Sequence, residues 1–142
     1  MLIILGFYRR RPDLTVAQYR AHWRDVHGPL IRSIVDKHGL LLRYVQHHLS
    51  PDTGYPDQAG VKAEIGGGFD GFSEGWFADE AARDAFFSLP TMRAEVLEDE
   101  RKFIDVSATR WVALDSQHTI IEGAAGLLTD YMVAQAARVN LE

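Results

Sequence analysis

The sequence predicts an α+β fold in which two strand-helix-strand units share one four-stranded antiparallel sheet, with helices on one of its faces. Three observations predict it. Short apolar runs of strand length alternate with stretches whose apolar residues recur every three or four positions, in the order strand, helix, strand, strand, helix, strand. The length of 142 residues suits a single core, and no linker divides the chain. Two runs, Leu2 to Phe7 and Leu40-Leu41-Leu42, are apolar on both sides, so the sheet face the helices leave open needs cover. This is the ferredoxin-like βαββαβ sandwich, and a second copy is the simplest cover, two sheets closing face to face as a dimeric α+β barrel.

Leu2 to Tyr8 reads as the first strand, buried on both faces. Pro12 and Asp13 break it, and Thr15-Val16-Ala17-Gln18 forms a capping box that starts a helix near Val16. The helix carries Val16, Tyr19, Trp23, Val26, Leu30 and Ile34 on one stripe, with His27 inside it, and ends at His38-Gly39, where glycine supplies a left-handed cap. Leu40 to Leu49 is the second strand. Ser50 to Phe69 holds two prolines and five glycines, a long loop of the kind that forms lids. Asp70 to Phe77 is the third strand. Asp79 caps a helix through Ala82, Phe86 and Phe87 that stops at Pro90, and a further helix runs from Thr91 to about Phe103. Ala108 to Leu114 is the fourth strand, and His118 to Glu122 a second extended piece. Leu127, Leu128, Tyr131, Met132 and Gln135 mark a C-terminal helix, so that residues 1–122 form the domain and 123–142 an extension.

Composition removes several function classes. There is no cysteine, which excludes disulfides, thiolate nucleophiles and cysteine-held metals. A net charge of -5 argues against a nucleic-acid surface, and Arg9-Arg10-Arg11 reads as a solvated turn. No apolar run is long enough to span a membrane, and the N-terminus lacks the charge order of a secretory signal, so a cytoplasmic address is expected. Gly66-Gly67-Gly68 lacks the lysine of a phosphate loop, and neither a serine elbow nor a dinucleotide fingerprint is present. His22 and His27 are five apart, about 140° round an α-helix, and no His-x-x-x-His occurs, so neither metal nor cofactor is expected.

Five segments, in order, carry a family likeness: Arg10-Arg11-Pro12-Asp13-Leu14-Thr15, Trp23-Arg24-Asp25-Val26-His27-Gly28-Pro29-Leu30, Arg43-Tyr44-Val45-Gln46-His47-His48, Phe69-Asp70-Gly71, and Asp99-Glu100-Arg101-Lys102-Phe103-Ile104-Asp105. With these the chain resembles the EthD family, whose members are dimeric α+β barrels. The combination of Tyr-x-Gln-x-His with Phe-Asp-Gly and Asp-Glu-x-x-Phe is similar to EthD-type decarboxylases and dehydratases that tailor aromatic polyketides. The resemblance implies a homodimeric lyase acting without cofactor on a polyketide-type or β-keto or hydroxyaromatic acid. Related barrels that oxygenate anthrones or isomerise lactones leave those activities open, as does a non-enzymatic protein that holds a hydrophobic ligand.

The residues themselves nominate His27 first, since imidazole exchanges protons near neutral pH and a proline two positions on disturbs the helix beside it. Tyr44, Gln46 and His48 share one face of a strand and offer a phenol, an amide and an imidazole to one cavity. Tyr44 and His48 join His27 as catalytic candidates, binding an enolate or carboxylate. Gln46 joins Tyr8, Trp23, Phe72, Glu74, Trp76 and Trp111 as substrate-binding candidates, the aromatics walling a flat ligand and Glu74 serving as base or as a partner to a histidine. His47 points the other way, and Asp99 and Glu100, at a helix end, read as structural.

Overall fold

The computed structural model describes residues 1–50 and 68–121. The expected lid loop and the C-terminal helix lie outside these residues, apart from the loop's ends. The strands are β1 (Leu2–Tyr8), β2 (Arg43–His48), β3 (Gly71–Phe77) and β4 (Arg110–Ala113), all antiparallel, in the order β2-β3-β1-β4. The edge strands are those that follow the helices of each half, which is the ferredoxin-like arrangement the sequence predicts. β2 is shorter than expected at its start. Leu40 to Leu42 stay outside the ladder because Leu41 turns into the core, 5% exposed, while Leu42 lies 56% exposed.

The first helical half opens as the sequence dictates. Thr15 Oγ1 accepts from the Gln18 amide at 3.1 Å and Gln18 Oε1 accepts from the Thr15 amide at 2.9 Å, a reciprocal cap of about 1 kcal/mol. The helix then runs in three parts: α1 (Val16–His22), a π-helical turn (Trp23–His27), and α2 (Gly28–His38). In the wide turn the Gly28 amide donates to the Trp23 carbonyl, five residues back, and Pro29 follows in the first turn of α2, where a missing N–H is tolerated. Gly39 closes α2 with φ of 64°.

In the second half, Asp79 caps α3 (Glu80–Phe87), its carboxylate accepting from the Ala82 amide at 2.8 Å. The expected helix from Thr91 to Phe103 is a second π turn, Met92–Val96, followed by the short α4 (Leu97–Glu100) and a turn that buries Phe103. His118 to Ile121 form no strand, since no described strand is there to pair with them. Ile120 and Ile121 are over 80% exposed.

Strand alternation gives the sheet two different faces. Toward the helices point Ile4, Gly6 and Tyr8 of β1, Tyr44, Gln46 and His48 of β2, Ser73, Gly75 and Phe77 of β3, and Trp111 of β4. They pack into two apolar clusters, one around Ile4, Ile31, Phe77 and Val96, the other around Tyr8, Tyr19, Trp23 and Phe103. Among the described residues, no helix lies over the opposite face. It carries an aromatic row in which Phe7 stacks on Phe72 (5.4 Å between centroids) and Phe72 on His47 (4.2 Å), with Arg43 over the Trp76 ring.

Candidate active site

A cavity opens where the two core clusters meet, between the sheet and both π turns. It is a narrow slot, a cavity of about 50 Å³. Its polar wall is Tyr8 from β1, His27 from the first π turn, Tyr44 from β2, Ser73 from β3 and Glu100 from α4. Aliphatic and aromatic side chains make the rest, with Trp111, half exposed, among them. That mixture of a greasy lining and a few converging polar groups is the usual character of a small-molecule site.

Four of the five polar groups, all but Glu100, are held by hydrogen bonds among the described residues. His27 is 4% exposed, and its Nδ1 lies 2.9 Å from Asp99 Oδ2, while the other oxygen of Asp99 lies 2.8 Å from His22 Nε2. Asp99 is also 4% exposed, with Lys102 Nζ at 3.9 Å on its outer side. A carboxylate at Nδ1 fixes the proton there and leaves Nε2 of His27 as the acceptor, and Nε2 has no partner among the described residues. Burial pushes the His27 pKa below its ordinary 6.5, against the opposing pull of Asp99, so the ring is neutral at pH 7. The wide turn makes this geometry. Its hydrogen bonds run over five residues rather than four, so positions 22 and 27 come to one side, in contrast to the 140° separation of a regular helix.

The helix bearing His27 is tied to the sheet by β2. Gln46 Nε2 donates to the Trp23 carbonyl at 2.8 Å, Trp23 Nε1 donates to Tyr44 Oη at 3.2 Å, and Gln46 Oε1 accepts from His48 Nε2 at 3.2 Å. Tyr8 Oη and Ser73 Oγ share a hydrogen bond of 2.8 Å. Burial pushes the Tyr44 hydroxyl up to about 12 and Tyr8 well above its ordinary range, so both stay protonated. Burial also drives His48 down to about 4, helped by Arg20, Arg24 and His47.

The structure therefore divides the residues the sequence nominates. His27, Tyr44, Tyr8 and Trp111 line the cavity. Trp23, Gln46 and His48 stand behind it and hold the π turn, with the Trp23 and His48 rings 4.7 Å apart. Phe72, Glu74 and Trp76 lie across the sheet, on the open face, because a period of two separates them from Ser73 and Gly75. Glu74 there bonds His47 at 3.1 Å and takes the Trp76 indole N–H. Sequence reasoning missed His22, Asp99, Glu100 and Ser73. The Asp-Glu-x-x-Phe segment was a usable signal for two of them, since on α4 Glu100 lines the cavity and Asp99 bonds His27. Ser73 had no signal beyond its place on the strand.

A model of the EthD domain matches residues 11–107. No curated protein matches the chain in sequence. Solved structures share its fold, among them the following three. An ethyl tert-butyl ether D (EthD) family protein from Bacillus halodurans is 16% identical with a TM-score of 0.54, over 82% of this chain and 99% of that one. HapK from Hahella chejuensis is 17% identical with a TM-score of 0.54, over 87% and 100%. A dimeric protein of ferredoxin-like fold from Bacteroides fragilis is 10% identical with a TM-score of 0.53, over 80% and 93%. At such identities the likeness speaks for the fold. The domain match spans more than half of the sequence and includes His22, His27, Asp99 and Glu100, and the chain belongs to the EthD family.

Proposed function

We propose that the chain is an acid/base enzyme that works without cofactor on an enolisable hydroxyaromatic or β-keto compound, with the Asp99-oriented imidazole of His27 as its base. One observation carries the reading: a buried imidazole, its pKa lowered by burial, has one nitrogen fixed by a carboxylate and the other without a partner among the described residues, at the wall of an apolar slot. Such a base needs a substrate that supplies its own electron sink, since the described lining holds no second strong nucleophile. A carbonyl beside the reacting carbon does so. His27 Nε2 takes the carbon-bound proton, the bonding pair moves into a new C=C bond, and the carbonyl oxygen carries the charge as an enolate. Tyr44, kept protonated by burial, donates toward that oxygen. Loss of water or attack on a second carbonyl each proceeds from such an intermediate, so the reaction class is a lyase or cyclase.

The assembly in this proposal is a homodimer. The aromatic row of Phe7, Phe72, His47 and Trp76 lies on a sheet face that no described helix covers, and a second copy is its cover in this proposal; the ferredoxin-like protein from Bacteroides fragilis is itself dimeric. Phe72, Glu74 and Trp76 then act at the subunit contact rather than on the substrate.

The test uses 1,3-dihydroxynaphthalene, a flat polyphenol whose ring protons exchange through its keto form. Exchange into D2O, followed by NMR, is expected to accelerate with the wild-type protein and to fall about 10²-fold with His27→Ala. Equal acceleration by the two proteins, with the probe bound to both, would remove the base from this site.

A further inference from the structure

Glu100 is a carboxyl that the scheme above leaves unused. It lines the same slot as His27, and among the described residues its side chain takes part in no hydrogen bond and no ion pair. Its neighbour in sequence behaves differently: Asp99 is bonded through both oxygens. The groups around Glu100 are Tyr8 from β1, Tyr44 from β2, His27 from the first π turn and Asp99 on its own helix, and none of them is a cation at pH 7. Lys102 lies beyond Asp99, 67% exposed. No lysine or arginine is present in the described lining.

Resting on the acid/base reading of His27, we propose that Glu100 is a second catalytic residue, a carboxylic acid that protonates the oxygen of an uncharged ketone or phenol tautomer, and that the slot selects neutral substrates over carboxylates. The bonds balance. As His27 takes the proton from carbon, the C–H pair becomes the C=C bond, and the carbonyl π pair becomes an O–H bond with the Glu100 proton. Two neutral groups thereby become imidazolium and carboxylate, an ion pair that adds no net charge to a slot without lysine or arginine in its described lining. A carboxylate substrate would instead place a further anion beside Glu100 and Asp99 in a dry space, where uncompensated charge is costly. Burial together with the adjacent Asp99 raises Glu100 from 4.5 to about 7, which keeps a proton on it in the working range.

The exchange assay with 1,3-dihydroxynaphthalene tests this between pH 5.5 and 8.5, in wild type, Glu100→Gln and His27→Ala. The wild-type rate is expected to fall above pH 7 as Glu100 ionises. Glu100→Gln, of the same shape, should be at least tenfold slower at pH 6.5 and should lose that fall. As inhibitors of the wild type, 2-naphthol should act at least tenfold more strongly than 3-hydroxy-2-naphthoate, a comparison that needs no variant. Retention of the wild-type fall above pH 7 in Glu100→Gln, or equal inhibition by the naphthoate, overturns the proposal. If His27→Ala is impaired while Glu100→Gln matches wild type, Glu100 fails and the base stands. If both variants match wild type, or if no form accelerates exchange, the acid/base reading itself fails with it.

Discussion

His22 and His27 are held by the two oxygens of one carboxylate, that of Asp99, at 2.8 and 2.9 Å, and a widened helical turn brings them there. Asp99 is thus a positioning residue for His27. Asn in its place keeps the shape but can present N–H to Nδ1, which favours the other tautomer and removes the acceptor from the slot. Asp99→Asn is expected to lower kcat by about 10²-fold or more with KM little changed. Asp99 also raises the His27 pKa against burial, so its loss should move the acid limb of the rate profile to lower pH. Fewer folded molecules would lower the rate without moving that limb.

The sequence made the sheet legible because strands and caps depend on local patterns: Thr15 with Gln18, Asp79 with Ala82 and the apolar run of β1 are each visible within a few residues. The site was legible only in part. His27 lies on the stripe that periodicity marks, and Tyr44 shares a strand face with Gln46. The π turn is set by contacts from elsewhere, among them the bond of Gln46 to the Trp23 carbonyl, so the meeting of His22 with His27 could not be read from 3.6-residue spacing. Alternation grouped Phe72, Glu74 and Trp76 correctly, yet a period of two does not say which face the helices cover.

Ionisation should leave opposite signatures on stability. Glu100 has its folded pKa raised from 4.5 to about 7, so its contribution is full below pH 4.5 and is lost as pH rises through 7. Glu100→Gln should therefore gain on wild type by roughly 3 kcal/mol between pH 4.5 and 8, as an upper bound. His48 has its folded pKa lowered from 6.5 to about 4, so its contribution is full above pH 6.5 and is lost as pH falls toward 4. His48→Gln should gain on wild type over that acid range. Urea unfolding at pH 4, 5, 6.5 and 8 measures both. A Glu100→Gln difference that does not vary with pH would place its carboxyl in solvent.

Two glycines on the helix-facing side of β3 should respond differently to alanine. A Cβ on Gly71 would stand 2.5 Å from the Trp23 ring and 2.9 Å from the His47 carbonyl, and backbone cannot yield as a side chain can. Gly71→Ala is expected to cost about 1–3 kcal/mol. A Cβ on Gly75 makes only ordinary contacts, with Leu41 Cδ1 at 3.4 Å, Phe77 Cε2 at 3.6 Å and the Ile4 carbonyl at 3.9 Å, and Gly75 lines the slot. Gly75→Ala should keep its stability and weaken binding of 2-naphthol by narrowing the space. Thermal denaturation and naphthol titration separate the two outcomes, and equal stability loss in both variants would contradict the placement.

The open sheet face gives the last prediction. Phe72 lies in its centre, stacked between Phe7 and His47, and partly exposed in the single chain. In the proposed homodimer Phe72→Glu buries a charge against the copy of the same apolar row, and a symmetric contact meets the substitution twice. The variant is expected to sediment as a monomer at concentrations where the wild type is a dimer. Because Phe72 is across the sheet from the slot, residual proton exchange by folded monomer would show how far the His27 site functions without its partner. A Phe72→Glu protein that remains fully dimeric would move the subunit contact to another surface.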